Sequence, residues 1–284
     1  MTDKSISSFV SKTSQITAAA RAYETMKDNY LFQDPFAKLY STEKGFEYIK
    51  SVADNLHTPL ETSVNMIAIR TKYFDDQLLH AIQTCGIRQI VILACGGDFR
   101  PYRLIFPDTN DIIKFYVLDF EEVIDFREEC FKKLSCPPTN SSVFIKEIAC
   151  DLSKPLWPSI LVNNGFKPNE CSFWILEGLL SYLDETNIYE LFSHIKSLCC
   201  SSNPSRLICD LIIKQLYNDI AQTAGWGTAI KFGIDEPEQF FEGLGCTNIQ
   251  CTKNLSVGKS YYRVPEEIPT SYSNTNFINA TISS

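Results

Sequence analysis

Histidine is scarce in this 284-residue chain: only His57, His80 and His194 occur, far apart in sequence, and the eleven cysteines include no Cys-x-x-Cys pair. These shortages exclude the common zinc-ligand spacings and a dithiol redox motif, so no metal is expected and the thiols read as reduced and mostly structural. No apolar run approaches the ~20 residues that a bilayer crossing needs. The opening MTDKSISSFVSKTSQ lacks the apolar centre of a secretory signal. A cytoplasmic protein with no membrane partner is expected, and without an export signal the sequons at Asn140, Asn254 and Asn279 carry no weight.

Basic charge is short as well. Lys and Arg total 26 against 34 Asp and Glu, a net charge of −8, and no basic stripe is visible. That balance argues against a nucleic-acid partner. What is present, at 44% hydrophobic residues, suffices for one large α/β domain with additions.

The chain is organised around Gln89 to Leu104, QIVILACGGDFRPYRL. An apolar run, Ile90 to Leu93, meets a turn of small residues, Ala94-Cys95-Gly96-Gly97, before Asp98 and a segment able to start a helix. Strand, tight turn and helix follow, and such a turn lets backbone N–H groups approach a ligand at the C-terminal end of a strand. A glycine pair alone is also what an ordinary strand-to-helix loop contains. A second apolar run, Phe115 to Leu118, ends in Asp119. It lies roughly 20 residues beyond the turn, where nucleotide-binding βαβ units carry a ribose-binding carboxylate. Cys95 has no neighbouring histidine to activate it and reads as a small turn-filler.

Met1 to Ser14 is polar and expected to be loosely ordered. Helical spacing begins at Gln15 and is stopped by Asp34-Pro35, with Arg21 among small residues; Phe36 to Ile49 and Thr62 to Thr84, which carries Arg70, continue the helical pattern. Strands are expected near Gln89 to Ala94, Lys114 to Asp119, Val143 to Ala149, Ser172 to Leu176 and Arg206 to Leu211, then Thr247 to Thr252 and Lys259 to Val264. Helices fall near Phe120 to Leu134, Asp184 to Cys200 and Glu236 to Leu244, and their alternation with strands predicts a doubly wound, mostly parallel α/β sheet. The loop Gln215 to Asp235, with Gly225-Trp226-Gly227, has the composition of a mobile lid or of a plain surface loop, and the last stretch, TSYSNTNFINATISS, reads as a disordered tail. This divides the chain into a helical cap over residues 1–84, a core over 85–265 and a tail over 266–284.

Four features fall at or just beyond predicted strand ends: the glycine turn, Asp119, Asp151-Leu152 and Glu177. In a doubly wound sheet those ends share one edge, so the acids converge on a crevice. The simpler reading is that each acid caps the helix that follows it.

From Ser11 to Val264 the chain resembles the class I S-adenosylmethionine-dependent methyltransferases of the leucine carboxyl methyltransferase and polyketide O-methyltransferase type. The resemblance is carried in order by ARAYETMKDNYLFQDPFA, RTKYFDD, ILACGGDFRPYRL, VLDFEEVIDFRE, ACDLSKPLW, ILEGLLSYLDE and FGIDEP. It implies a seven-stranded Rossmann-like sheet with S-adenosyl-L-methionine as cofactor. By the same resemblance Arg70 pairs with the methionine carboxylate, Gly96 lies against the cofactor backbone, Asp119 holds the ribose hydroxyls, Asp151 and Leu152 frame the adenine, and Glu177 faces the methionine ammonium. A guanidinium fork suits a carboxylate, and an aspartate accepts from vicinal hydroxyls. The family motif has glycine where this chain has Ala94, and Asp-Thr-Arg-Ala where it has Asp98-Phe99-Arg100-Pro101. An alanine at that turn is tolerable at negative φ and costly at positive φ.

The resemblance implies O-methylation of a small molecule, polyketide-like or an organic acid. Methylation of a protein's C-terminal leucine carboxylate and a non-catalytic cofactor-binding or scaffold protein are the alternatives. A nicotinamide dehydrogenase fits poorly, because no third glycine follows Gly97. No catalytic residue is identified, although Tyr182 is a candidate wall of the active site or else a core aromatic. The absence of histidine beside a strand-end motif favours a carboxylate acceptor, which needs no general base. The oligomeric state is open, and a monomer is compatible with the sequence.

Overall fold

The computed structural model describes residues 3–55, 57–107, 111–134, 142–200, 202–221, 229–265 and 274–284, with side chains described throughout these except at 3–11 and 219–221. Three helices precede the sheet: α1 (Asp3–Thr25), α2 (Ala37–Asn55) and α3 (Leu60–Gln83). The small stripe Ala18, Ala19, Ala20 and Ala22 of α1 is buried, which lets α1 lie close to α2. The approach is tight enough that a Cβ on Gly45 of α2 would stand 2.6 Å from the Gln15 carbonyl oxygen.

The rest of the chain alternates: β1 (Gln89–Leu93), α4 (Arg100–Arg103), β2 (Ile113–Asp119), α5 (Glu121–Lys133), β3 (Val143–Ala149), α6 (Trp157–Asn163), β4 (Ser172–Leu176), α7 (Glu185–Ser197) and β5 (Ser205–Ile212). Then come α8 (Lys214–Ala221), α9 (Pro237–Gly243), β6 (Cys246–Lys253), α10 (Asn254–Ser260) and β7 (Thr275–Ile282). The strands form one seven-stranded sheet in the order β3-β2-β1-β4-β5-β7-β6, with β1 to β5 parallel and β7 antiparallel to both its neighbours. Central β1 and β4 are buried at every position, as strands covered on both faces must be, and this is why they read as unbroken apolar runs. Alternate residues feed two cores: Val91, Leu93 and Leu176 pack under α6 and α7, while Ile90, Ile92 and Ile175 pack under α3.

Four expectations are corrected. The segment Met1 to Ser14, expected to be loosely ordered, is helical over its described part, as α1 runs from Asp3. The polar end is not a tail, because Thr275 to Ile282 inserts between β5 and β6 and pairs on both sides, which satisfies its backbone. Ile278, Ala280 and Ile282 share one face and join the α6–α7 core, a period-two signal hidden among Asn276, Asn279 and Thr281. The segment Lys259 to Val264 is not a strand, since α10 runs to Ser260 and seats Gly258 where a Cβ would meet Ile69 and Val264 at 2.8 Å each. Part of the expected 215–235 loop is helix α8, whereas Gly225-Trp226-Gly227 lies outside the described residues. Helix α6 begins Trp157-Pro158, and proline suits its first turn, where no intrahelical N–H bond is lost. Among the described residues no helix is long and apolar enough to cross a membrane.

Candidate functional site

The turn after β1 brings Ala94 to φ +52° and Gly96 to φ +48°. Ala94 thus keeps a backbone shape that normally favours glycine, at a strain of about 1–2 kcal/mol. The glycine pair makes room for protein. A Cβ on Gly96 would stand 2.9 Å from Ser14 Cβ, and one on Gly97 would stand 2.6 Å from the Tyr40 ring. Arg21 Nη2 donates to the Gly97 carbonyl at 2.5 Å while its Nε donates to Asp34 at 2.9 Å. Helices α1 and α2 therefore rest on the turn. Both glycines also line the cavity, so the turn faces it as well as carrying the helices.

Asp119 ends β2 and is 3% exposed. Its Oδ2 accepts from Gly96 N–H at 2.7 Å and its Oδ1 from Phe120 N–H at 2.7 Å. Burial pushes its pKa upward, against the pull of those two N–H donors. The Cys95 side chain is a third hydrogen-bond partner, and a carboxylate offers about four lone-pair sites, so Asp119 is fixed in direction and still able to accept. Arg127 buttresses the turn from below, donating to the carbonyls of Gly96 at 2.9 Å and Asp98 at 2.7 Å, and pairing with Glu147 at 2.8 Å.

Across the cavity, Glu177 follows β4. Arg70 Nε donates to its Oε1 at 2.9 Å, and Arg100 Nη1 stands 2.7 Å from Oε2, a charge contact outside hydrogen-bond alignment. Burial alone would raise the Glu177 pKa; Arg100 and then Arg70 outweigh it and hold the carboxyl down to about 2. Arg100 is itself locked by Asp75 at 2.6 Å and Asp98 at 2.5 Å.

Arg70, Gly96, Asp119, Asp151, Leu152 and Glu177 all line one cavity of about 500 Å³, and Tyr182 lines it too. Asp151 accepts from Ser153 N–H at 2.9 Å and Ser153 Oγ at 2.7 Å, so it shapes its own turn as well as facing the cavity. Burial raises the Tyr182 pKa, opposed by Arg70 and by a hydrogen bond with Thr13 of α1. Its phenol therefore stays protonated at neutral pH and is no general base. The Cys95 thiol is pushed far up by burial, which leaves it unreactive.

Capping does not account for Asp119 or Glu177. Helix α5 starts from Phe120 with no side-chain cap, and both Glu177 oxygens face guanidinium groups. Sequence reasoning missed Asp210, a lone acid in the apolar strand β5, and gave no role to Arg100, although Arg100 lies inside the Asp98-Phe99-Arg100-Pro101 motif. It also missed His194, which projects from α7 into the same cavity. The heptad-like spacing of Ile188, Leu191 and Ile195 shows the inner face of α7, so His194 one residue before Ile195 was findable as a flank of that face. His80 lines a different cleft and His57 is exposed.

A seven-stranded α/β sheet with one reversed strand, order 3-2-1-4-5-7-6, and carboxylates beyond β2 and β4 around one cavity is the class I methyltransferase architecture. Within that class the chain belongs to the leucine carboxyl methyltransferase family, whose model matches residues 14–196. A relative from Mycolicibacterium smegmatis, named as a candidate S-adenosyl-L-methionine-dependent methyltransferase, is 36% identical over 196 residues, covering 66% of this chain and 63% of its own. A similarly named relative from Mycobacterium tuberculosis is 34% identical over 206 residues, covering 68% of this chain and 63% of the relative. The chain thus spans slightly under two thirds of the length of these relatives. In fold it is similar to a DUF574 family protein from Streptomyces avermitilis, with a TM-score of 0.57, 11% identity and coverage of 93% and 96% of the two chains. It is also similar to a candidate methyltransferase from Thermobifida fusca, with a TM-score of 0.55, 12% identity and coverage of 93% and 94%.

Proposed function

We propose that this protein is an S-adenosyl-L-methionine-dependent O-methyltransferase acting on the carboxylate of a small organic acid. One observation carries the reading. The oriented Asp119 carboxylate and the ionised Arg70–Glu177 pair face a single cavity from different strand ends, the complement of a nucleoside that carries an amino acid. The residues fit the cofactor: Asp119 keeps accepting capacity for a ribose hydroxyl, Asp151 and Leu152 line the same cavity, and Arg70 Nη2 has no acceptor among the described residues. Ala94 holds the glycine-like conformation, so the turn keeps its shape despite the substitution.

When bound, the cofactor supplies a methyl group on a sulfonium sulfur, which keeps the bonding electron pair as the acceptor oxygen forms the new bond, so that carboxylate and sulfonium become neutral ester and thioether. The protein's part is to position the partners and to exclude water. Arg70 and Glu177 hold one end of the donor, Asp119 the middle, and α1 covers the site through Thr13, Thr17 and Arg21. That cover supports a compact acceptor over an extended polypeptide tail. Tyr182, kept protonated by burial, offers a donor and no base, which supports an acceptor that is already ionised. A phenolic acceptor is the second reading, favoured by His194 in the cavity wall, which is able to take a proton. In this reading no nucleic acid or membrane takes part.

Incubation with methyl-labelled cofactor and a panel of small acids and phenols tests the proposal. Labelled small products that release methanol in mild base are expected. Base-stable label supports the phenol, labelled protein supports a polypeptide acceptor, and cofactor binding without transfer to any acceptor supports a scaffold.

A further inference from the structure

We infer that Asp210 is a positioning residue that sets the direction in which Arg70 meets the amino-acid end of the cofactor, an inference that rests on the proposed function. Asp210 lies near the C-terminal end of β5, 7% exposed, on the face turned toward α3. Its two oxygens do different things. Oδ2 accepts from Arg70 Nη1 at 3.0 Å, and Oδ1 accepts from Gly178 N–H at 2.6 Å. Gly178 immediately follows Glu177 and sits at φ +66°, so the same carboxylate holds both the guanidinium and the backbone that presents its other partner.

A guanidinium is planar, and two acceptors on different nitrogens fix its plane where one would leave it free to turn. Glu177 takes Nε and Asp210 takes Nη1, from the ends of two neighbouring strands. The remaining nitrogen, Nη2, has no acceptor among the described residues, and Arg70 lines the cavity. One cation faces two carboxylates, so Arg70 retains charge for a third anion only in the direction the other two leave open. Loss of Asp210 would let the guanidinium close on Glu177 and withdraw from the cavity. The competing account is that Asp210 merely steadies β5 and the Gly178 turn.

Two ligands separate these accounts. S-adenosylhomocysteine carries the amino-acid end, while methylthioadenosine has the same nucleoside and sulfur without it. Calorimetric titration of Asp210→Asn, which keeps an acceptor for Gly178 N–H, is expected to show S-adenosylhomocysteine bound at least tenfold more weakly. Methylthioadenosine should bind within twofold of its wild-type affinity. In an Arg70→Met background the same substitution is expected to change S-adenosylhomocysteine binding by less than twofold, because a residue acting through Arg70 has nothing left to act on. Should Asp210→Asn fail to fold, Asp210→Glu, which keeps the charge but displaces it, gives the same contrast between the ligands. Equal losses for both ligands, or no loss for either, overturn the inference while leaving the cofactor reading intact. A folded wild-type protein that binds neither ligand removes the cofactor reading and this inference with it.

Discussion

Arg70 and Glu177 stand 107 positions apart in sequence and 2.9 Å apart in space, an α3 guanidinium on a carboxylate just past β4. The pair lies at the rim opposite Asp119, and its electrostatics make the site's behaviour testable.

Glu177 has a folded-state pKa of about 2 against an ordinary 4.5. A depressed carboxylate contributes stability that is present above its unfolded value and is lost as pH falls through the folded one. On that ground Glu177 contributes on the order of 3 kcal/mol at neutral pH. Chemical denaturation of Glu177→Gln should therefore show a deficit against wild type at pH 7 that shrinks as pH drops from about 4.5 toward about 2. A deficit that is the same across that window would contradict the ion-pair account.

Ala94 sits at φ +52°. Replacement by glycine removes a strain of about 1–2 kcal/mol and adds unfolded-state entropy worth about 0.4–1 kcal/mol. Thermal melts of Ala94→Gly are expected to be raised by roughly 1–3 °C, against the usual cost of such a change. A lowered melting temperature would show that the turn carries no strain.

Tyr182 has a phenol that burial keeps protonated, and its partner Thr13 belongs to α1. Tyr182→Phe should lower turnover by less than about tenfold, with the pH–rate profile unchanged in shape. Loss of a basic limb from the profile would make the hydroxyl a proton acceptor after all.

Most of the parallel sheet was legible because buried strands are written as apolar runs: QIVIL and SFWIL leave no other reading. Asp119 was legible for a related reason, a charge at the end of such a run. The reversed strand β7 was not, because Asn276 and Asn279 look solvent-bound until a neighbour on each side accounts for the backbone. Asn279 Nδ2 also donates to the Tyr73 hydroxyl at 2.8 Å, a partner 206 positions away that no local pattern reveals. The glycine turn was legible from its small residues, but the packing of Ser14 and Tyr40 of the covering helices against its missing Cβ atoms was not, because those partners are distant in sequence. Asp210 and Arg100 stayed hidden because their value lies in what they hold, Arg70 in one case and Glu177 in the other.

The central claim is that the strand-end carboxylates jointly grip S-adenosyl-L-methionine. Calorimetric titration of purified protein with S-adenosylhomocysteine, in wild type and in Asp119→Ala, tests it most directly. The account predicts one site per chain in the wild type and binding weakened by about 10- to 100-fold in the variant, the loss of a charge-assisted hydrogen bond. Wild-type protein that shows no heat of binding at millimolar ligand, or a variant that binds as tightly as wild type, would contradict it.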